Sequence, residues 1–355
     1  MTAKFDNPLA TDGFEFVEFT GPQPEALARL FECLGFVEVG RHRHKAVSHF
    51  RQGDINFILN REPRSLAEEY AARHGPSCNA MAFRVRDAAS AYAEAIRRGA
   101  TPIDLPVGPM ELKIPAIAGV GGLVIYLVDR YGARTIYDVD FEPIASADPE
   151  AETGLTVIDH LTHNLERGHL DLWAAFYEKV FGFREIRHFA IAGRQTGLLS
   201  RAMISACGKI RIPLNESRDE RSQIEEFLAR YRGEGIQHIA LATDDIQRSV
   251  DALRRRGIPF QETPASYYDE IDARLPDHGE DIARLREAGI LIDGGAANGG
   301  GILLQIFTAD MIGPIFFEII QRKGNEGFGA GNFPALFEAL ERDQIRRGVL
   351  QEASA

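Results

Sequence analysis

Cysteine is scarce in this chain: Cys33, Cys78 and Cys207 are the three, and no two have paired spacing. An odd, scattered set excludes a disulfide framework and fits free thiols in a reducing cytoplasm. Positive charge is also in short supply. Lys and Arg number 40 against 52 Asp and Glu, a formal net charge of −12. The clustered cations that a nucleic-acid backbone demands are therefore missing. No apolar run approaches the ~20 residues needed to span a bilayer. The opening MTAKFDNPLATDGF has no apolar core of a signal peptide. These absences predict a cytoplasmic protein with neither nucleic acid nor membrane as partner. What is present suffices for two domains: 355 residues, 45% of them hydrophobic.

The chain contains a repeat. FEFVEFTGPQPEALARLFECLGFVEV (14–39) reads as strand, amphipathic helix, LGF, strand. The same order returns at VIDHLTHNLERGHLDLWAAFYEKVFGFREI (157–186), where the helix ends in FGF. A second unit, GPSCNAMAFRVRDAASAYAEAIRRGATPI (75–103), parallels GEGIQHIALATDDIQRSVDALRRRGIPF (233–260). In each, an Asp opens a helix and Arg-Gly closes it, the expected cap residues. Trp173, Phe176, Tyr177 and Val180 give the third helix an apolar stripe. The polar, acidic stretch 141–153 reads as the linker between two copied halves.

The copies serve as internal controls for each other. In register, Glu18 falls opposite His160, Ala80 opposite His238 and Tyr126 opposite Glu318. Three positions on three separate strands have thus become His, His and Glu in the second half. Within LTVIDHLTHN (155–164), strand alternation puts Ile158, His160, Thr162 and Asn164 on one face. Val157, Asp159, Leu161 and His163 take the other, so His160 and His163 do not chelate one ion together. Glu318 lies inside the apolar IFFEIIQ, where a carboxylate requires a cationic partner. Two imidazoles and a carboxylate form the facial triad of non-haem Fe(II) oxygenases. The residue types alone do not choose iron over zinc or nickel.

The segments IDHLTHN, RIPLNE, GEGIQHIAL, RLPDHGE, LLQIFT, FFEIIQRKG and GFGAGNFPALFEALERDQIRRGVL resemble the 4-hydroxyphenylpyruvate dioxygenase family of the vicinal oxygen chelate superfamily. The resemblance implies an α+β fold, with tandem βαβββ modules forming two open barrel-like domains. Residues 1–150 would be a domain without a metal triad, and 151–355 the catalytic iron-binding domain. It implies Fe(II), one per chain, on His160, His238 and Glu318. The substrates would be 4-hydroxyphenylpyruvate and O₂, the products homogentisate and CO₂, in tyrosine and phenylalanine breakdown. Ser200, Asn215, Gln223, Gln237 and Gln305 match polar residues of the family's substrate pocket. Phe307 and Phe333 match its aromatic clamp, and Phe316 and Phe328 its apolar wall. Alternation argues against Gln237, because it neighbours His238. The family also implies a dimer or tetramer.

Residues 333–350 carry the apolar spacing of an amphipathic helix, expected as a lid that GFGAGN (327–332) joins flexibly. Three rivals remain at this point. Relatives forming 4-hydroxymandelate share substrate and ligands, although Phe333 favours ring attack. Other chelate-fold enzymes cleave catechols or isomerise as glyoxalases do. A metal-free binding module of the same fold would look like the first half. RHRHK (41–45) reads as a solvated strand edge or turn, and GGAANGGG (294–301) as a hairpin turn or mobile loop.

Overall fold

The computed structural model describes residues 5–144, 152–192, 197–220, 222–295, 300–332 and 334–335. The first half contributes β1 (Thr11–Thr20), β2 (Val37–His42), β3 (Val47–Gln52), β4 (Ile55–Asn60), β5 (Ser77–Val85), β6 (Pro102–Ile103), β7 (Ala116–Ala118), β8 (Val124–Val128) and β9 (Phe141–Pro143). The second contributes β10 (Leu155–Leu165), β11 (Arg184–Ala192), β12 (Gly197–Ile204), β13 (Arg211–Ser217), β14 (Gly235–Thr243), β15 (Leu291–Gly294), β16 (Ile302–Phe307) and β17 (Phe316–Lys323).

The strands form two sheets, ordered β6-β7-β8-β5-β1-β4-β3-β2-β9 and β11-β12-β13-β10-β14-β17-β16-β15. Read from opposite ends the two orders coincide, with β9 as the single addition. β1 pairs parallel with β4, and its counterpart β10 pairs parallel with β13. The duplication seen in the residues is therefore a duplication of topology. By compactness the chain divides into two units. One is Met1–Glu152 with Val157–Ala240 and Asp310–Phe316; the other is Thr153–Thr156 with Leu241–Ala309 and Phe317–Ala355.

The helices repeat as well. In chain order they include α1 (Pro24–Cys33), α2 (Leu66–His74), α3 (Ala88–Arg97), α4 (Tyr137–Asp140), α5 (Leu170–Phe181), α6 (Gln223–Tyr231) and α7 (Ile246–Arg255). The predicted Asp caps are in place. Asp87 accepts from Ser90 N at 2.7 Å and Asp245 from Arg248 N at 3.1 Å. Ser65 and Ser222 cap α2 and α6 in the same way, each holding the N–H three residues on. The α5 stripe agrees with expectation at Tyr177 and Val180 and differs at Trp173 and Phe176. Its fully buried side is Leu170, Ala174, Tyr177, Val180 and Phe181, and Trp173 and Phe176 are only half-buried. Trp173 stays at the rim because its Nε1–H donates to Glu234 at 2.9 Å, and an indole N–H needs such a partner.

The expected linker is also shorter than its composition suggested. Phe141–Pro143 form β9 and pair with β2, while 145–151 lie outside the described residues. β15 and β16, which flank the Gly-rich stretch, pair antiparallel, and residues 296–299 within it lie outside the described residues. Among the described residues no helix is long and apolar enough to cross a membrane.

Candidate metal centre

His160, His238 and Glu318 lie on β10, β14 and β17, consecutive in the second sheet's order. His160 and Glu318 are 2% and 3% exposed, and His238 is half-buried. One donor atom from each falls within 4.8 Å of the others. The two Nε2 atoms are 3.4 Å apart, and the rings meet at 78°.

The opposite edge of each imidazole is held by the residue before it. His160 Nδ1 meets Asp159 Oδ1 at 2.7 Å, and His238 Nδ1 meets Gln237 Oε1 at 2.9 Å. Both partners are acceptors, so each Nδ1 carries the proton and each Nε2 presents a lone pair. Two lone pairs and a carboxylate turned to one point concentrate negative potential, which a cation relieves. Ligand atoms at right angles on bonds of about 2.1 Å stand ~3 Å apart, close to the spacing here. The N,N,O donor set fits a divalent first-row metal, iron among them.

The surroundings are unevenly polar. Phe316 stacks on His238, with centroids 4.9 Å apart and planes at 22°. Ser200 on β12 sits directly across from Asn215 on β13. Phe307 is the cross-strand neighbour of Glu318. Gln305 is 2% exposed and its Oε1 has no hydrogen-bond partner. Phe328 is half-buried, with the Arg322 guanidinium 5.7 Å above its ring. Two expected pocket residues are placed differently. Gln237 is engaged with His238, and Gln223 is exposed on the first turn of α6. Phe333 and the expected lid helix lie outside the described residues, apart from Pro334 and Ala335.

His163 is fully buried on the other face of β10, and burial lowers its pKa to about 3, so it packs as a neutral ring. The segment leading to residue 333 is fastened rather than loose. Gly331 N donates to Asp293 at 3.0 Å, and Asn332 Oδ1 accepts from the Tyr267 hydroxyl at 2.6 Å.

Sequence reasoning assigned no role to Asp159, Thr162 or Asn164. Asp159 is 5% exposed, with Arg211 Nη1 at 3.9 Å. Thr162 and Asn164 are 2% and 0% exposed, on the His160 face of β10. The signal was present in the alternation, which put both with His160.

The first half shows what occupies the equivalent positions there. Glu18, 5% exposed, accepts from Asn79 Nδ2 at 2.6 Å and Asn60 Nδ2 at 3.0 Å. Burial raises its pKa. Tyr126 packs on Phe16, Ala80, Ala116 and Val124.

Residues 5–142 match a family model described as "Hydroxyphenylpyruvate dioxygenase, HPPD, N-terminal". Residues 157–270 match one described as "Glyoxalase/Bleomycin resistance protein/Dioxygenase superfamily". The chain is 57% identical to 4-hydroxyphenylpyruvate dioxygenase of Pseudomonas aeruginosa, over 97% of each chain. It is 59% identical to Hemolysin VllY of Vibrio vulnificus, over 98% of this chain and 99% of that one. A solved triple mutant of 4-hydroxymandelate synthase from Streptomyces coelicolor superposes with a TM-score of 0.78 at 30% identity. It covers 94% of this chain and 99% of its own.

Proposed function

The chain belongs to the 4-hydroxyphenylpyruvate dioxygenase family, a family of dioxygenases, and from that premise we propose that it converts 4-hydroxyphenylpyruvate and O₂ to homogentisate and CO₂ in tyrosine breakdown. The observation that carries this reading is the convergence of His160, His238 and Glu318. These three would hold one Fe(II). Bound there, the metal supplies the redox chemistry that couples O₂ reduction to decarboxylation of the 2-oxo acid and hydroxylation of its ring. Residues 151–355 form the catalytic half in this reading, and 1–150 a scaffold whose triad is gone. The three free cysteines fit a cytoplasmic setting.

The protein's own part is binding and orientation. Asp159 and Gln237 keep the Nδ1 protons in place, so both Nε2 lone pairs stay directed at the metal. Two neutral imidazoles and one carboxylate leave a divalent ion with a net charge near +1, which attracts the anionic 2-oxo acid. Phe316, stacked on His238, and Phe307, opposite Glu318, present apolar surface that keeps water from the reacting atoms. Ser200, Asn215 and Gln305 would supply polar contacts for the ring end, Phe307 and Phe333 would clamp the ring, and Phe328 would extend the apolar wall with Phe316.

The test is a product assay. The chain is loaded with Fe(II) under ascorbate and given 4-hydroxyphenylpyruvate in air. Homogentisate, identified by chromatography and mass, is the expected product. 4-Hydroxymandelate instead would favour the second reading, that of the synthase neighbour. No oxygen uptake with iron bound would remove both.

A further inference from the structure

We propose that Asn164 is a further substrate-positioning residue, holding the phenol end of the arylpyruvate; this rests on the function proposed above. Asn164 is fully buried, and among the described residues neither its Oδ1 nor its Nδ2 has a hydrogen-bond partner. A buried polar group left unsatisfied is destabilising, and this side chain carries two. Thr162 Oγ1, two residues back, is buried and likewise without a partner among the described residues. Both lie on the face of β10 that carries His160.

Register puts Asn164 in company. It pairs with Asn215 on β13, which pairs with Ser200 on β12. Residues in register across adjacent strands point to one face, so the three form a polar row on the metal's side of the sheet. Asn164 is four residues from His160, roughly 13 Å along an extended strand. That leaves room for an aromatic ring between metal and amide. A carboxamide offers a donor and an acceptor side by side. A phenol hydroxyl accepts from Nδ2–H and donates to Oδ1, satisfying both; a bare ring edge satisfies neither.

The test compares two ligands that differ only in the hydroxyl. Asn164→Leu and Asn164→Ser, with Thr162→Val as a neighbouring control, are assayed for kcat/KM on 4-hydroxyphenylpyruvate and for inhibition by phenylpyruvate as competitor. In Asn164→Leu, kcat/KM falls about 10–100-fold, while the phenylpyruvate inhibition constant moves less than about 3-fold. Asn164→Ser, which keeps a donor and acceptor, recovers part of the loss. Equal weakening toward both ligands, or no change toward either, overturns the assignment. If Asn164→Leu fails to fold, the Asn164→Ser comparison decides by the same criterion. Wild-type chain that makes no homogentisate refutes the proposed function instead, and the two failures stay distinguishable.

Discussion

Each histidine of the His160–His238–Glu318 group is oriented by its immediate chain neighbour, an arrangement that simple strand alternation conceals. Successive side chains leave a strand on opposite faces, and on that ground Gln237 reads as facing away from the pocket. Yet Nδ1 lies one bond from Cγ, close to the backbone, so the preceding side chain can fold round to meet it. Asp159 and Gln237 both do so. The three residues that converge were legible because the duplication marks them: Glu18, Ala80 and Tyr126 stand where the second half has His160, His238 and Glu318. Their supports were not, because nothing in a residue type announces which edge of a ring it holds. Asp159→Asn keeps an acceptor but removes the charge that raises imidazole basicity. Metal affinity should fall about 10–100-fold, read by anaerobic Co(II) titration, with little change in thermal midpoint. An affinity within twofold of wild type would show that the carboxylate does not tune the site.

The elements were read well where a local rule decides them and less well where a tertiary partner does. Asp87 and Asp245 cap their helices as expected, because the cap is satisfied within one turn. The α5 stripe held at Tyr177 and Val180 but not at Trp173, which sits at the rim with its indole N–H on Glu234, a residue 61 positions away. Glu234 gathers more than the indole. Its carboxylate also accepts from Glu166 N at 2.9 Å and pairs with His169 Nδ1 at 2.6 Å. Its backbone carbonyl faces Gly121, where an added Cβ would lie 2.1 Å from the oxygen. Gly121 has φ +62°, so a side chain there meets both strain and collision. Gly121→Ala should cost roughly 2 kcal/mol or more, seen as a lower urea midpoint. Because Glu234 is four residues before His238, weaker metal binding should accompany the loss. An unchanged midpoint would mean that the β7–β8 turn yields freely.

At the scale of the whole molecule the duplication itself was legible, since copied strand order follows copied sequence. How the first half fills its own site was not. Its apolar packing around Tyr126 and the amides on Glu18 come from residues scattered along the chain. The same half holds a buried imidazole that links stability to pH. His49 stacks on Tyr137 at 3.8 Å between centroids, and its Nε2 meets Asn56 Oδ1 at 2.8 Å. Burial first, and the nearby Arg51 charge, lower its pKa to about 4, against the opposing pull of the Asn56 bond. An unfolded histidine takes up its proton near pH 6.5, whereas the folded one stays neutral until about pH 4. The stabilisation is therefore complete above the unfolded value and is lost as pH falls through this window. Its slope is at most about 1.4 kcal/mol per pH unit. His49→Gln retains a partner for Asn56 but no longer titrates. Urea midpoints measured from pH 7 to pH 4.5 should fall less steeply in the variant than in the wild type. His160 and His238 are common to both proteins and cancel in that comparison, so parallel slopes would show that His49 is protonated equally in the folded and unfolded chain.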